Sequence, residues 1–364
     1  VAQTTARRSS VLRVASVVGA RPQFIKAFPL SRALLAHDKV EEIVIHTGQH
    51  FDANMSDIFF TELGMKRPRY SLDIHGGNHG DMTGKMLAAI EEILVSEKPD
   101  AVLVYGDTNS TLAGALAAAK LQTPVIHVEA GMRSFNRRMP EEINRVVADH
   151  LSAVLLCSTK TAVENLRREG IVNNVHKVGD LMYDATLLAI PLAERHSRVL
   201  EQLNLAPGNY GIATIHRAET TDDPDMLVKV INYLRMQSRE LPLVLPLHPR
   251  AKQALKSAHI DLGDNIVVIE PLGYIDMCQL MHSAKIVLTD SGGLQKEAYF
   301  HRVPCVTLRT ETEWIETIEF GWNRLWTAPH YQTRREIGEY GNGNAAEEIL
   351  NILERMTISS AAKT

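Results

Sequence analysis

The chain has 364 residues, too many for one compact core, and its 45% hydrophobic and 23% charged content is that of a soluble two-domain protein. Lysine and arginine number 39 against 43 aspartates and glutamates, and the net charge of −4 gives no hint of nucleic-acid binding. Three scattered cysteines, Cys157, Cys278 and Cys305, lack metal spacing and read as small core residues in a reducing cytoplasm.

Residues 1–10 read as a disordered tail. Arg7-Arg8 followed by Val11–Ala20 mimics a signal peptide, but Arg13 interrupts the apolar run and no cleavage site follows, so Leu12–Val18 is the expected first strand. No segment approaches the length of a bilayer span, which predicts a soluble, cytoplasmic protein with no membrane partner. Further strands are expected near Glu42–Thr47, Ala101–Tyr105, Pro124–Val128, Ala153–Cys157 and Val175–Val178. Helical patterns fall between them, near Phe24–Leu35, Thr83–Ser96, Ser110–Leu121, Glu141–Leu151 and Thr161–Glu169. The second half repeats the alternation, with strands near Gly211–Ile215, Leu243–Leu247, Ile266–Ile269, Lys285–Thr289 and Val303–Leu308.

Apolar strands separated by helices imply parallel sheets covered on both faces. The expected architecture is α/β, two doubly wound domains facing each other across a cleft. The first spans 11–192 and the second 210–344, with a polar junction at 193–209 containing Pro207-Gly208-Asn209. Tyr183 and Asp184 are expected at the hinge. A final helix within 345–364 can pack on either domain.

In such sheets ligands sit at the carboxyl ends of strands, and the polar residues fall there. The first strand leads into Gly19-Ala20-Arg21-Pro22-Gln23, with Arg21 and Lys26 placing two cations near a helix N-terminus, an arrangement that suits a bound anion. Asp107 follows the strand at 101–105, where a helix cap is the plainer reading. Glu129 ends the strand at 124–128, and a carboxylate at the end of a buried strand is costly unless paired or functional. Glu141 and Arg145 are four apart on one helix face and able to pair, as a surface salt bridge would.

In the second half His216 and Arg217 end a strand, a pair that suits phosphate or proton transfer. Glu270-Pro271-Leu272 offers backbone groups to a flat base. Asp290-Ser291-Gly292-Gly293 lies between an apolar strand and a helix, so the free N–H groups of the helix start suit a diphosphate, and Glu297 one turn later suits ribose hydroxyls. Neither a GxGxxG motif, a Walker loop nor a zinc-spaced His/Cys cluster is present, which argues against NAD, ATP and metal chemistry; no cofactor is expected.

In this order, GARPQFIK, TGQH, GDTNST, HVEAGMRS, MPEEINR, HRAE, LHPR, DSGGLQKEA and TEWIE resemble the non-hydrolysing UDP-N-acetylglucosamine 2-epimerase family from Val11 to about Arg355. The resemblance implies two Rossmann-like domains in the GT-B arrangement, a homodimer, and inversion at C2 of a UDP-2-acetamido sugar through a 2-acetamidoglucal and UDP. It implies Asp107, Glu129 and Glu141 as the acid/base and sugar-facing group and His216 as an essential histidine. Arg217, Arg21 and Lys26 would lie near the diphosphate, Ser291, Gly292 and Gly293 on phosphate, and Glu297 on ribose. Arg145 would support the carboxylates, with Glu270, Leu272 and Glu313 completing the substrate-binding set.

The chain departs from the common pattern at His50–Met55, so allosteric activation by substrate is not implied, and Ala218 replaces an arginine. HTGQHFDANMSDIFF, DIHGGNHGDMTG and TEWIE look most like the branch acting on UDP-2,3-diacetamido-2,3-dideoxyglucuronate, which serves O-antigen synthesis. Both substrates stay open. A uronate would require a further cation near C5, with His75, His79, Arg137 and Arg138 as candidates. A GT-B glycosyltransferase, a hydrolysing 2-epimerase and a UDP-sugar sensor are the competing readings.

Overall fold

A computed structural model describes residues 11–49, 60, 63 and 65–361. The chain begins β1 (Leu12–Val18), α1 (Arg21–Leu35), β2 (Val40–His46), β3 (Tyr70–Ser71), α2 (His79–Glu97), β4 (Ala101–Tyr105) and α3 (Asn109–Lys120). It continues β5 (Val125–Val128), α4 (Pro140–Leu151), β6 (Val154–Cys157), α5 (Lys160–Arg168), β7 (Val175–Lys177) and α6 (Leu181–His196). Strand β4 is apolar and wholly buried, as a central strand covered on both faces must be. Helix α3 starts where Thr108 leaves the extended region and its hydroxyl accepts the Thr111 N–H.

These strands form one parallel sheet in the order β3-β2-β1-β4-β5-β6-β7. Val17, Ile45 and Val104 pack on Met86 and Ile90 of α2 and Ala113 and Ala117 of α3. Fully burying a Val or Ile side chain stabilises by about 1.5–3 kcal/mol, so this alternation suffices to fix the layers.

The chain then adds α7 (Val199–Gln202), β8 (Gly211–Thr214), α8 (Ala218–Thr221), α9 (Pro224–Ser238), β9 (Leu243–Pro246), α10 (Pro249–Ser257) and β10 (Ile266–Ile269). After these come α11 (Tyr274–His282), β11 (Ile286–Thr289), α12 (Gly292–Phe300), β12 (Cys305–Thr307), α13 (Ile315–Glu319) and β13 (Asn323–Leu325). The second sheet is parallel, ordered β10-β9-β8-β11-β12-β13. Leu227, Val230, Ile231 and Leu234 of α9 cover one face, while Leu280 and Met281 of α11 and Ala298 of α12 cover the other. All three cysteines are buried.

Two compact units result, one comprising residues up to Ala185 with Gly338 onward, the other Thr186–Ile337. The chain changes unit inside α6, not in the polar stretch 193–209, because α6 runs unbroken through Leu181–His196 with Ala185, Ala189 and Ala193 all buried. The final helix, α14 (Ala345–Ala361), belongs to the first unit. His37 Nε2 lies 2.8 Å from Glu354, and Asp184 accepts the Ala346 N–H at 2.8 Å. Asp184, expected at a hinge, is therefore a buried partner of the start of α14. The expected tail at 1–10 and the departure at His50–Met55 lie outside the described residues.

Candidate active site

In each sheet the strand order reverses at one point, between β1 and β4 in the first and between β8 and β11 in the second. A crevice opens at the carboxyl ends of strands on either side of such a reversal. Gly19 and Asp107 follow β1 and β4, and His216, Arg217, Asp290 and Ser291 follow β8 and β11.

In the first unit Lys26, in the second turn of α1, reaches the Glu129 carboxylate. Glu129 has a left-handed backbone, φ 68°, a strained conformation that points its side chain back toward α1. Gly106 has φ 63°, and a Cβ there would lie 3.2 Å from both Glu129 Oε2 and Lys26 Nζ, so the pair rests against bare backbone. Lys26, Glu129, Ser158 and Asp180 border a small crevice.

Arg145 pairs with Asp107 and, at 3.3 Å, with Glu142. The expected pairing of Arg145 with Glu141 is corrected here. Glu142, three residues back, is buried and accepts Ser134 N–H at 2.8 Å, Ser134 Oγ–H at 2.9 Å and Phe135 N–H at 3.1 Å, which leaves Glu141 exposed. Burial works to raise the Glu142 pKa, but these donors and Arg145 hold it below the usual carboxylate range. Asn144 donates to the Asp107 carbonyl at 2.9 Å. Arg21 opens α1, partly buried, and Gln23 ties the turn after β1 to β4 by accepting the Gly19 N–H and donating to the Tyr105 carbonyl.

Of the four candidate cations for a uronate, His79 is tied to this group. Its Nδ1 lies 3.1 Å from Asn109 Nδ2, and Asn109 lies 3.4 Å from Asn144. His75 pairs with Asp73, and Arg137 and Arg138 are exposed.

In the second unit Asp290 is fully buried and accepts the backbone N–H groups of His216 and Arg217. Its Oδ1 lies 3.1 Å from His216 Nδ1, so the histidine ring is held from below while the side chain stays 45% exposed. Burial opposes the Asp290 charge, and His216 with these N–H groups outweighs it, holding the pKa below the usual carboxylate range.

Ser291 caps α12 by accepting the Leu294 N–H at 3.5 Å, so Gly292 and Gly293 open the helix with free-end geometry for an anion. A Cβ on Gly292 would lie 3.3 Å from Arg217 Nη2, placing the guanidinium over the helix start. Arg217 also lies 3.5 Å from Glu313, which Arg309 binds through both oxygens. Glu297 faces back toward Gly293, 3.7 Å from where its Cβ would stand. Glu270 and Leu272 follow edge strand β10. There Glu270 is exposed and pairs with Lys252 at 2.9 Å, while Leu272 packs on the core, so β9 separates both from the reversal.

Sequence reasoning missed the buried groups beneath the first cluster. His127, within β5, contacts Asp149 and the Gly106 carbonyl, each at 2.7 Å. Asp149 also accepts from Gly131 N–H and Arg133, and Arg133 reaches Glu169. A histidine inside an apolar strand resembles a core residue, and only the HVEAGMRS string marked the segment. Removing one member of such a buried ion network costs about 3–5 kcal/mol.

In the first unit two carboxylates, Asp107 and Glu129, stand at the ends of the neighbouring strands β4 and β5, and in the second a helix starts beside Arg217 after β11, an α/β arrangement that suits an enzyme. The chain belongs to the UDP-N-acetylglucosamine 2-epimerase family, whose sequence profile matches residues 32–354. It is 47% identical over 361 residues to a UDP-N-acetylglucosamine 2-epimerase homolog of Methanococcus maripaludis, covering 95% of this chain and 100% of that protein. It is 46% identical over 362 residues to UDP-2,3-diacetamido-2,3-dideoxy-D-glucuronate 2-epimerase of Pseudomonas aeruginosa, covering 95% and 100%. The crystal structure of Methanocaldococcus jannaschii UDP-GlcNAc 2-epimerase in complex with UDP-GlcNAc and UDP shares 40% identity and aligns with a TM-score of 0.83 over 94% of this chain and 100% of that one.

Proposed function

We propose that this protein is a non-hydrolysing 2-epimerase of a UDP-2-acetamido sugar, either UDP-N-acetylglucosamine or UDP-2,3-diacetamido-2,3-dideoxyglucuronate. The observation that carries the reading is the pair of carboxylates Asp107 and Glu129 at the ends of neighbouring strands β4 and β5, each held by a cation. Removal of the C2 proton is coupled to departure of UDP. The C2–H electron pair becomes the C1=C2 double bond of a 2-acetamidoglucal, and the C1–O pair leaves on the diphosphate. Return of the diphosphate oxygen to C1 and of a proton to the other face of C2 gives the manno epimer, with nothing consumed.

On this reading the first unit handles the sugar. Asp107, Glu129 and Glu141 accept and return protons, Lys26 and Arg145 fix the first two, and Arg21 lies toward the leaving group. The second unit takes UDP. Arg217 with the N–H groups at Ser291, Gly292 and Gly293 receives the developing negative charge, supported by Glu313 through Arg217. Glu297 takes the ribose, Glu270 and Leu272 the base, and His216, oriented by Asp290, a proton at the leaving oxygen. The Pseudomonas aeruginosa relative points to the glucuronate and the Methanococcus maripaludis relative to UDP-N-acetylglucosamine; for the glucuronate, His79 is the group proposed to meet the carboxylate. We further place the enzyme in the cytoplasm as a homodimer in surface-polysaccharide synthesis. Among the described residues no helix is long and apolar enough to cross a membrane.

Proton NMR in D2O with each sugar nucleotide tests the proposal. Deuterium entering C2 with a gluco-to-manno mixture supports it, and the faster substrate identifies the pathway. Free N-acetylmannosamine with UDP would point to a hydrolysing enzyme, and no exchange with either nucleotide would point to a transferase or a binding protein.

A further inference from the structure

His127 is fully buried in β5, opposite Val104 of β4 and Leu155 of β6. Both ring nitrogens face oxygen atoms at 2.7 Å, Nδ1 meeting Asp149 Oδ1 and Nε2 meeting the Gly106 carbonyl. A carbonyl only accepts, so Nε2 carries a hydrogen. Asp149 also accepts the Gly131 N–H at 3.1 Å and an Arg133 N–H at 2.7 Å, two donors besides the ring and one of them charged, the environment of a carboxylate and not of a carboxylic acid. Nδ1 therefore carries a hydrogen as well. We infer that His127 is a permanently charged imidazolium that positions the two loops bearing Asp107 and Glu129.

The anchors bracket both carboxylates. Gly106 immediately precedes Asp107, His127 is two residues before Glu129, and Gly131 two residues after it is held by the same Asp149. The charged groups around the ring are Asp149 from α4, Arg133 from the loop after β5 and Glu129 at the end of its own strand, with Cys157 of β6 beside Asp149. Burial works against the charge. Asp149, the Gly106 carbonyl and, more distantly, Glu129 outweigh it, so the histidine pKa lies above its ordinary value. The ring thus supplies a fixed positive charge beneath a cluster of carboxylates. Its catalytic consequence rests on the epimerase reading, whereas its protonation state does not.

Nitrogen-15 NMR of histidine-labelled wild-type protein reads the protonation state directly. One ring is expected to keep imidazolium shifts throughout about pH 5 to 8, where ordinary histidines titrate. That signal is expected to vanish in His127→Asn and His127→Gln. A neutral His127 in that range overturns the inference, whatever the activity.

The two variants retain different donors, Asn toward Asp149 and Gln toward Gly106, and both lack the charge. Each is expected to lose about 100-fold in kcat with KM nearly unchanged. The acid limb of its pH profile should move to higher pH, since losing the positive charge makes Glu129 easier to protonate. Folded variants with wild-type kcat and pH profile would also overturn the positioning role. An imidazolium in a protein that epimerises neither sugar nucleotide would leave the inference standing and remove the epimerase reading instead.

Discussion

His216 Nδ1 lies 3.1 Å from Asp290 Oδ1, and the same buried carboxylate gathers the backbone N–H groups of His216 and Arg217. One side chain thereby sets the orientation of the imidazole and the entry of the arginine. Asp290→Asn keeps an oxygen for the backbone and removes the charge that fixes the ring tautomer. We expect kcat to fall about 100-fold or more with UDP affinity nearly unchanged by calorimetry. Because the Asp290 pKa is depressed, its stabilising contribution is present at neutral pH and lost as pH falls below the usual carboxylate range.

Glu129→Gln and Asp107→Asn should each lower turnover by orders of magnitude and leave UDP binding largely intact, because both carboxylates belong to the first unit and the helix start at Ser291 to the second. Steady-state kinetics beside UDP titration measures both quantities. Unchanged turnover in the two variants would sink the acid/base assignment.

Two glycines separate fold from chemistry. Gly131 has φ 78°, and a Cβ there would stand 2.3 Å from the Ala162 carbonyl oxygen, so Gly131→Ala should destabilise by more than about 1 kcal/mol in urea unfolding. In Gly106→Ala the new methyl instead meets the side-chain ends of Lys26 and Glu129. The larger effect there is expected in kcat.

Asp184 has its pKa pushed up from 3.8 to about 6, chiefly by burial and with Asp180 adding to it, against the Ala346 N–H. Its Oδ1 has no hydrogen-bond partner among the described residues. A raised folded-state pKa means that stability is full below 3.8 and is lost as pH rises through about 6. A displacement of that size corresponds to about 3 kcal/mol. Asp184→Asn should flatten the dependence of unfolding free energy on pH across this window, as urea melts at several pH values would record.

If the glucuronate is the substrate, His79→Ala should lower kcat/KM for it by about 10–100-fold, the loss of a hydrogen bond to a charged group. The value for UDP-N-acetylglucosamine should change less. Equal losses on both substrates would remove His79 from carboxylate recognition.

Most strands were legible because a parallel sheet needs apolar runs, and β1, β4 and β10 lie where the residues place them. Strands β3 and β13 escaped because Tyr70–Ser71 and Asn323–Leu325 are too short to show a pattern. Asp107, Glu129, His216 and Ser291 stand beyond strand ends, as the apolar runs before them foretold. The choice between Glu141 and Glu142 as the partner of Arg145 was not available, since both lie within one turn and the loop at Ser134 and Phe135 decides which is drawn inward. His127 and Asp149 meet across 22 residues, a pairing that only the packing of α4 on β5 creates.

The path of the chain carries a consequence for synthesis. Residues 186–337 form their unit between two stretches of the other, so they have all left the ribosome before Gly338 does. The second unit can close on its own core while the unit bearing Asp107 and Glu129 still awaits α14 and the bond from Ala346 to Asp184. The unit that bears the carboxylate cluster is thus begun before the other and completed after it, an exception to domains finishing in their order along the chain.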